Sequence, residues 1–327
     1  MRYPYLCFNL FLTLGYLGLI QGQHTTKYRC PPCNSDCHTV QYENPGDCPV
    51  CAMPLIEITN TKFEGYNKEE MVIQNGDIRL NAAYYTPQDK SKIRGVLVVV
   101  HGSAPSTYED VTYYTRIGTK LGMAVLAYDK RGVGKSEGHY QFFSVEGSEK
   151  WFNLLASDVL ACVSWLKNRP ELSAAKLGLL GGSQAGWIMP LAASKNDMIK
   201  FMIIGEGVAV SAGEEHYFSQ LTGDGDVHKL TIADAHSKLQ HFNGHRGFDP
   251  RSILKNLKTK TLWILGTEDP VIPVDATINE LKQMNNPNFQ IQVLEYGNHD
   301  FINTKTGKPY NLLDYLVPWL TKIGVLK

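Results

Sequence analysis

Residues Gly95-Val-Leu-Val-Val-Val100 are apolar at every position, and no other feature limits the possible folds as much. A strand with one face in water alternates apolar and polar side chains. One without a polar side is buried on both faces, as happens inside a parallel sheet covered by helices. Shorter runs of the same kind occur at 124–128, 176–180, 200–204, 261–265 and 290–294. Between them lie helical stretches. In 151–167, Phe152, Leu155, Val159, Cys162, Val163 and Leu166 recur at helical spacing. A further helix is expected over about 108–121, and 310–323 closes the chain as another. Ahead of these, 71–73 and 78–85 flank Asn75-Gly76, a strong hairpin signal. The pattern predicts an α/β fold, with a mostly parallel sheet, helices on both faces and an antiparallel hairpin at its start. Residues 211–255 are polar and break the rhythm, so they are expected to form a cap inserted over the sheet edge.

The chain has 327 residues, with Lys plus Arg balanced by Asp plus Glu at 32 each. No net field attracts nucleic acid or an anionic membrane, so the expected partner is a small molecule. Arg2 followed by an apolar stretch over 5–20 and then Gln21-Gly22-Gln23 reads as an export signal. The stretch is short for a membrane span, which needs roughly 20 residues. The expected organisation is a signal peptide at 1–22, a cysteine-rich module at 23–57, a linker at 58–68 and a main domain at 69–327. Once the signal is removed, a periplasmic or secreted protein with no membrane attachment is expected.

Five of the seven cysteines fall between residues 30 and 51. Cys30, Cys33, Cys48 and Cys51 form two CxxC pairs, which can bring four thiolates to the tetrahedron of a structural zinc site. Cys37 or His38 can replace one ligand. Copper is the alternative metal, because thiolates also suit it. Disulfides are the alternative linkage in an oxidising compartment. The stretch from Tyr28 to Leu55, ending Cys-Pro-Val-Cys-Ala-Met-Pro-Leu, resembles the short heavy-metal-binding domain of bacterial metal-resistance proteins, with Ala52 where that family has Gly. The resemblance implies metal binding.

Ligands in open parallel sheets bind beyond the carboxyl ends of the strands, and each notable motif falls at such an end. Gly181-Gly-Ser183-Gln-Ala-Gly186 follows the run at 176–180 and leads into the apolar stretch Trp187-Ile-Met-Pro-Leu-Ala. His101-Gly-Ser103 follows the most apolar run, and Tyr128-Asp-Lys-Arg-Gly-Val-Gly-Lys-Ser-Glu-Gly138 follows the next. Glu268-Asp269-Pro and Gly297-Asn-His299 come after the last two runs. The glycines after Arg131 lack the spacing of a phosphate-binding loop.

These motifs, in this order, resemble those of the α/β-hydrolase superfamily of serine hydrolases, in its esterase and dipeptidyl-peptidase-like branch. The resemblance covers about residue 70 to the end. It implies Ser183 on a nucleophile elbow, with Ala185 where the usual motif has Gly, Asp269 as triad acid and His299 as general base. It also implies an oxyanion hole formed by the N–H groups of Ser103 and Gln184. Glu268 and Glu206 are rival acids, and His101 and the 128–138 segment are expected to be structural. The implied reaction needs no cofactor: an ester is cleaved through a serine-bound acyl intermediate. Two alternatives stay open. One is an aminopeptidase or amidase, with Glu214-Glu215 holding a substrate ammonium. The other is a non-catalytic metal-binding protein.

Overall fold

A computed structural model describes residues 27–29, 40–50, 55–58 and 63–327. The expected signal peptide and the candidate metal ligands Cys30, Cys33, Cys37, His38 and Cys51 lie outside the described residues. Cys48 is described: it is buried, with its Sγ 3.7 Å from the Tyr42 hydroxyl. Around it, Lys27–Arg29 pairs antiparallel with both Gln41–Tyr42 and Ile56–Ile58. Among the described residues, no helix is long and apolar enough to cross a membrane.

The main sheet has eight strands: β1 (Tyr66–Asn75), β2 (Ile78–Pro87), β3 (Gly95–Val100), β4 (Ala124–Tyr128), β5 (Lys176–Gly182), β6 (Ile199–Gly205), β7 (Lys260–Gly266) and β8 (Phe289–Leu294). Their spatial order is β8-β7-β6-β5-β3-β4-β2-β1. Strands β3 to β8 are mutually parallel, and β2 runs antiparallel to both β4 and β1. The unbroken apolar runs follow from two covered faces. On β3, Val96, Val98 and Val100 enter one core cluster while Leu97 enters another. On β7, Trp263 and Leu265 face the first cluster, and Leu262 and Ile264 the second.

The first face carries α2 (Ser148–Lys167), α3 (Ala185–Ala193) and α7 (Val274–Met284). The second carries α1 (Thr112–Lys120) and α8 (Leu313–Lys322). All nine residues of α3 are buried, which explains why its sequence is apolar on every side. Helix α7, which buries Val274, Thr277, Ile278 and Leu281, is an addition to the sequence-based expectation. The parallel β7–β8 pair needs such a crossover.

Two boundaries differ from expectation. The hairpin loop is Gly76-Asp77, not Asn75-Gly76, because Asn75 already pairs with Ile78. Gly76, at φ 57°, supplies the positive φ that a two-residue hairpin loop requires. Strand β1 also starts inside the expected linker, where the Tyr66 hydroxyl donates to the carbonyls of Thr119 and Met123, each at 3.0 Å.

Between β6 and β7, the stretch expected as a cap contains α4 (Ala212–Thr222), α5 (Ile232–Leu239) and α6 (Arg251–Asn256). Helix α4 opens on a capping box between Ser211 and Glu214, and Thr231 caps α5. Phe218, Ala235 and Leu239 form a small core of their own beneath them.

Candidate active site

The chain switches direction in the sheet at β3: β4 lies on one side and β5 on the other. Such a switch opens a crevice at the carboxyl ends of the strands. Ser183 stands there, between β5 and α3, half-buried and in left-handed backbone at φ 56°. For a residue with a Cβ this conformation is uncommon and costs on the order of 1–3 kcal/mol, so the surroundings must hold it. They do so through backbone: the Ser183 N–H points at the carbonyls of Gly205 (3.1 Å) and Glu206 (3.0 Å), and the Ser183 carbonyl accepts from Gly186 at 2.8 Å. The turn has no room for a side chain at 182, where a Cβ would meet the Tyr114 hydroxyl at 2.4 Å and the Gly205 carbonyl at 2.7 Å. Ala185, the departure from the usual motif, is tolerated and fully buried.

The loop after β3 lies against this turn, since a Cβ on Gly102 would sit 3.6 Å from that of Ser183. Neither the Ser103 N–H nor the Gln184 N–H has a hydrogen-bond acceptor among the described residues. His101 stays apart from this chemistry. Its Nε2 lies 2.6 Å from the Tyr128 carbonyl and it is 2% exposed. Burial, then the charge of Lys130, lowers its pKa to about 3, so the ring is neutral.

Asp269 and His299 meet at the ends of β7 and β8, with Oδ2 2.7 Å from Nδ1. The Asp269 side chain is fully buried, and its Oδ1 accepts from the N–H groups of Val271 (2.7 Å) and Ile272 (3.2 Å). The His299 side chain is 26% exposed. Burial would lower its pKa, but the hydrogen bond and charge of Asp269, with Asp300 and Asp224 beyond, hold it above the ordinary imidazole value. Left-handed residues Tyr296 and Phe301 bracket the His299 turn, at φ 62° and 58°. Phe301 also ties that turn to the serine elbow: its ring lies over Gly205, where a Cβ would come within 2.4 Å.

The rival acids take other positions. Glu268 bonds the Thr304 hydroxyl. Glu206 is 1% exposed, in left-handed backbone at φ 43°, with Oε2 accepting from the Gly266 N–H at 3.1 Å. Burial first, then the neighbouring Asp269 charge, raises its pKa well above the ordinary carboxylate value. Its Oε1 accepts from no N–H or O–H donor among the described residues, and a side-chain hydrogen bond with Asp269 adds to the rise.

The paired glutamates of the cap also separate. Glu214 is committed to Arg251, through bonds of 2.8 and 2.9 Å, and to the Ser211 capping box. The side chain of Glu215 makes no hydrogen bond or ion pair among the described residues, and burial, then the charges of Asp224 and Asp269, raises its pKa to about 8. A cavity of about 650 Å³, with Thr222, Leu230 and Ile232 on one wall and Thr267 and Pro270 on the other, separates the cap from the loop carrying Asp269. A second cavity of about 440 Å³ lies at the opposite end of the sheet, over Val96 and Leu177.

The segment after β4 underlies the site through three consecutive charged residues. Asp129 accepts from the N–H groups of Tyr108 and Lys135, and Arg131 forms a buried pair with Asp158 at 2.6 Å. Lys130, between them, is a buried residue that the sequence reading passed over. Its residue type points to the surface, because lysine is almost never fully buried.

The sequence profile of the prolyl oligopeptidase family matches residues 109–323. Among solved structures, the chain is similar to an esterase of Pyrococcus furiosus at 18% identity, with a TM-score of 0.56 over 81% of this chain and 93% of that one. Proline iminopeptidase of Mycobacterium smegmatis aligns at 14% identity, TM-score 0.58, over 78% and 98% of the two chains. Acylaminoacyl peptidase of Pyrococcus horikoshii aligns at 18% identity, TM-score 0.51, over 75% of this chain and 41% of that one. No curated protein sequence matches at a significant level. The architecture is that of the α/β-hydrolases.

Proposed function

The chain belongs to the prolyl oligopeptidase family and is a serine hydrolase, and from that premise we propose that it is an exported enzyme cleaving carboxylic esters with Ser183, His299 and Asp269. The observation that carries this reading is the 2.7 Å contact between Asp269 and His299, on a turn packed against the serine elbow through Phe301.

In this mechanism Ser183 Oγ attacks the ester carbonyl while His299 Nε2 takes its proton. Asp269 accepts the Nδ1–H, which fixes the tautomer and stabilises the imidazolium as it forms. The carbonyl oxygen becomes an oxyanion and is met by the unpaired N–H groups of Ser103 and Gln184. His299 passes the proton to the departing alkoxide, leaving an acyl-serine. A water then attacks the acyl carbon with His299 as base, releasing the acid and restoring the hydroxyl.

Size does not separate the readings, since this chain spans 93% of the Pyrococcus furiosus esterase and 98% of the proline iminopeptidase. One observation favours an aminopeptidase or amidase as the second reading. Glu215 is an uncommitted carboxyl in the electrostatic reach of Asp269, and a substrate ammonium would draw it into its charged form.

The deciding experiment compares nitrophenyl esters with aminoacyl nitroanilides, using the wild type, Ser183→Ala and Glu215→Gln. Ester turnover lost only with Ser183 supports the esterase. Nitroanilide turnover lost in both variants moves the assignment to the aminopeptidase. Failure of a fluorophosphonate to label Ser183 would leave a binding protein and end both enzyme readings.

A further inference from the structure

Lys130 is 1% exposed. An amine this deep must find acceptors, and the ones it finds are grouped. Its Nζ donates to the carbonyls of Gly102 (2.6 Å), Ser103 (3.0 Å) and Ala104 (3.4 Å), and to Gln184 Oε1 (3.3 Å). Three of these belong to consecutive peptide groups in the loop after β3. The fourth is the side chain of the residue that follows Ser183. Tyr140 adds a second donor to the Ser103 carbonyl at 2.5 Å, and its ring centre lies 5.3 Å from Nζ.

The C=O and N–H of a trans peptide point in opposite directions. Lys130 draws the Gly102 carbonyl toward itself, so the Ser103 N–H of the same peptide unit must face away from it. Neither that N–H nor the one on Gln184 has an acceptor among the described residues. A three-residue loop with a glycine has no reason of its own to hold this orientation, because either rotation of the peptide plane is open to it.

We propose that Lys130 is the positioning residue of the oxyanion hole, clamping residues 102–104 to Gln184 so that the Ser103 and Gln184 N–H groups converge on one point. The proposal rests on the reading of Ser183 as nucleophile. Lys130 touches neither substrate nor reacting atoms. It acts by fixing donors before the charge arrives, and preset donors are worth far more than donors that must reorient during the reaction.

The test uses the full chain and nitrophenyl acetate, with Lys130→Met, which removes every donor at nearly constant volume, and Lys130→Gln, which keeps two N–H donors. An alkylboronic acid, which forms a tetrahedral adduct on serine, reports the hole directly. In Lys130→Met, kcat should fall about a hundredfold, near the loss seen when one oxyanion donor is removed. KM should stay within about threefold, because the ground-state carbonyl gains little from the hole. Boronate affinity should fall with kcat, and Lys130→Gln should lie between Met and wild type. Lys130→Gln is the variant to read if the Met variant does not fold.

A folded variant with kcat within about threefold of wild type would overturn the inference, as would KM and boronate affinity weakening together by one factor, the mark of general loosening. If the wild type itself is neither active nor labelled by a fluorophosphonate, the nucleophile reading fails and this inference falls with it. A labelled, active wild type beside an unaffected Lys130→Met sinks the inference alone.

Discussion

Asp269 uses its two oxygens for different tasks: Oδ1 accepts from the Val271 and Ile272 N–H groups, and Oδ2 takes the His299 Nδ1 proton. An Asp269→Asn substitution keeps the shape but must decide which end of the amide faces which neighbour. Turning the NH2 toward Val271 and Ile272 leaves a part-buried and a buried donor unpaired, at about 1–3 kcal/mol for the buried one. The amide oxygen therefore stays with the backbone, and the NH2 is presented to His299. An NH2 there can only be met by an unprotonated Nδ1, which moves the ring proton to Nε2 and removes the base from the side facing Ser183. The expected loss in kcat is about 10⁴-fold, or roughly 5.5 kcal/mol of barrier. Asp269→Ala, which leaves the tautomer free, should be no worse than Asn despite removing more atoms. Nitrophenyl acetate turnover at constant pH, with thermal melts as a folding control, measures all three proteins. A folded Asn variant keeping more than about a tenth of wild-type kcat would refute the tautomer argument.

Further outcomes follow from the same geometry. His299 must be neutral to act, and its pKa is held above the ordinary value of about 6.5; kcat/KM should therefore rise with pH through a midpoint above that value, and the midpoint should drop in Asp269→Ala, where burial remains without the carboxylate. By linkage, the His299–Asp269 contact contributes stability that is full below the unfolded imidazole pKa and is lost as pH climbs through the folded one, a slope that melts across that window will show. Glu206→Gln should change kcat by less than about threefold, because burial and the Asp269 charge already disfavour its charged form; a hundredfold fall in that assay would make Glu206 the working acid. Arg131→Met leaves Asp158 buried without its cation, which should cost about 3–5 kcal/mol. At 2–4 °C per kcal/mol for a domain of this size, Tm should fall by about 10 °C in calorimetry.

The strands were legible in the sequence because burial on both faces removes polar residues altogether, and that signal survives without any structure. The strand-end motifs were legible for a related reason: Ser183, Asp269 and His299 each follow such a run directly, so their common location is fixed once the runs are parallel. Where local and tertiary preferences compete, the reading slipped. Asn75-Gly76 is a good loop pair, yet the sheet register takes Asn75 into β1. Helix α7 spaces Val274, Ile278 and Leu281 among polar residues, so no unbroken apolar run marks it. Lys130 was hidden more deeply. Residue type says surface, and only the arrangement of four acceptors from two distant segments explains its burial.

The strand order places the parts of the site on unequal ground. Ser183 follows β5, which has β3 and β6 on its flanks, whereas the His299 turn follows β8, the outermost strand on that side. Strand β8 is also only half-buried along most of its length. Edge strands sit at the low end of local opening free energies, well below global unfolding. Warming will therefore fray β8 before the central strands and carry the imidazole away from an elbow that is still intact. Loss of turnover should precede loss of fold, and cooling should restore it without any need to refold the centre of the sheet.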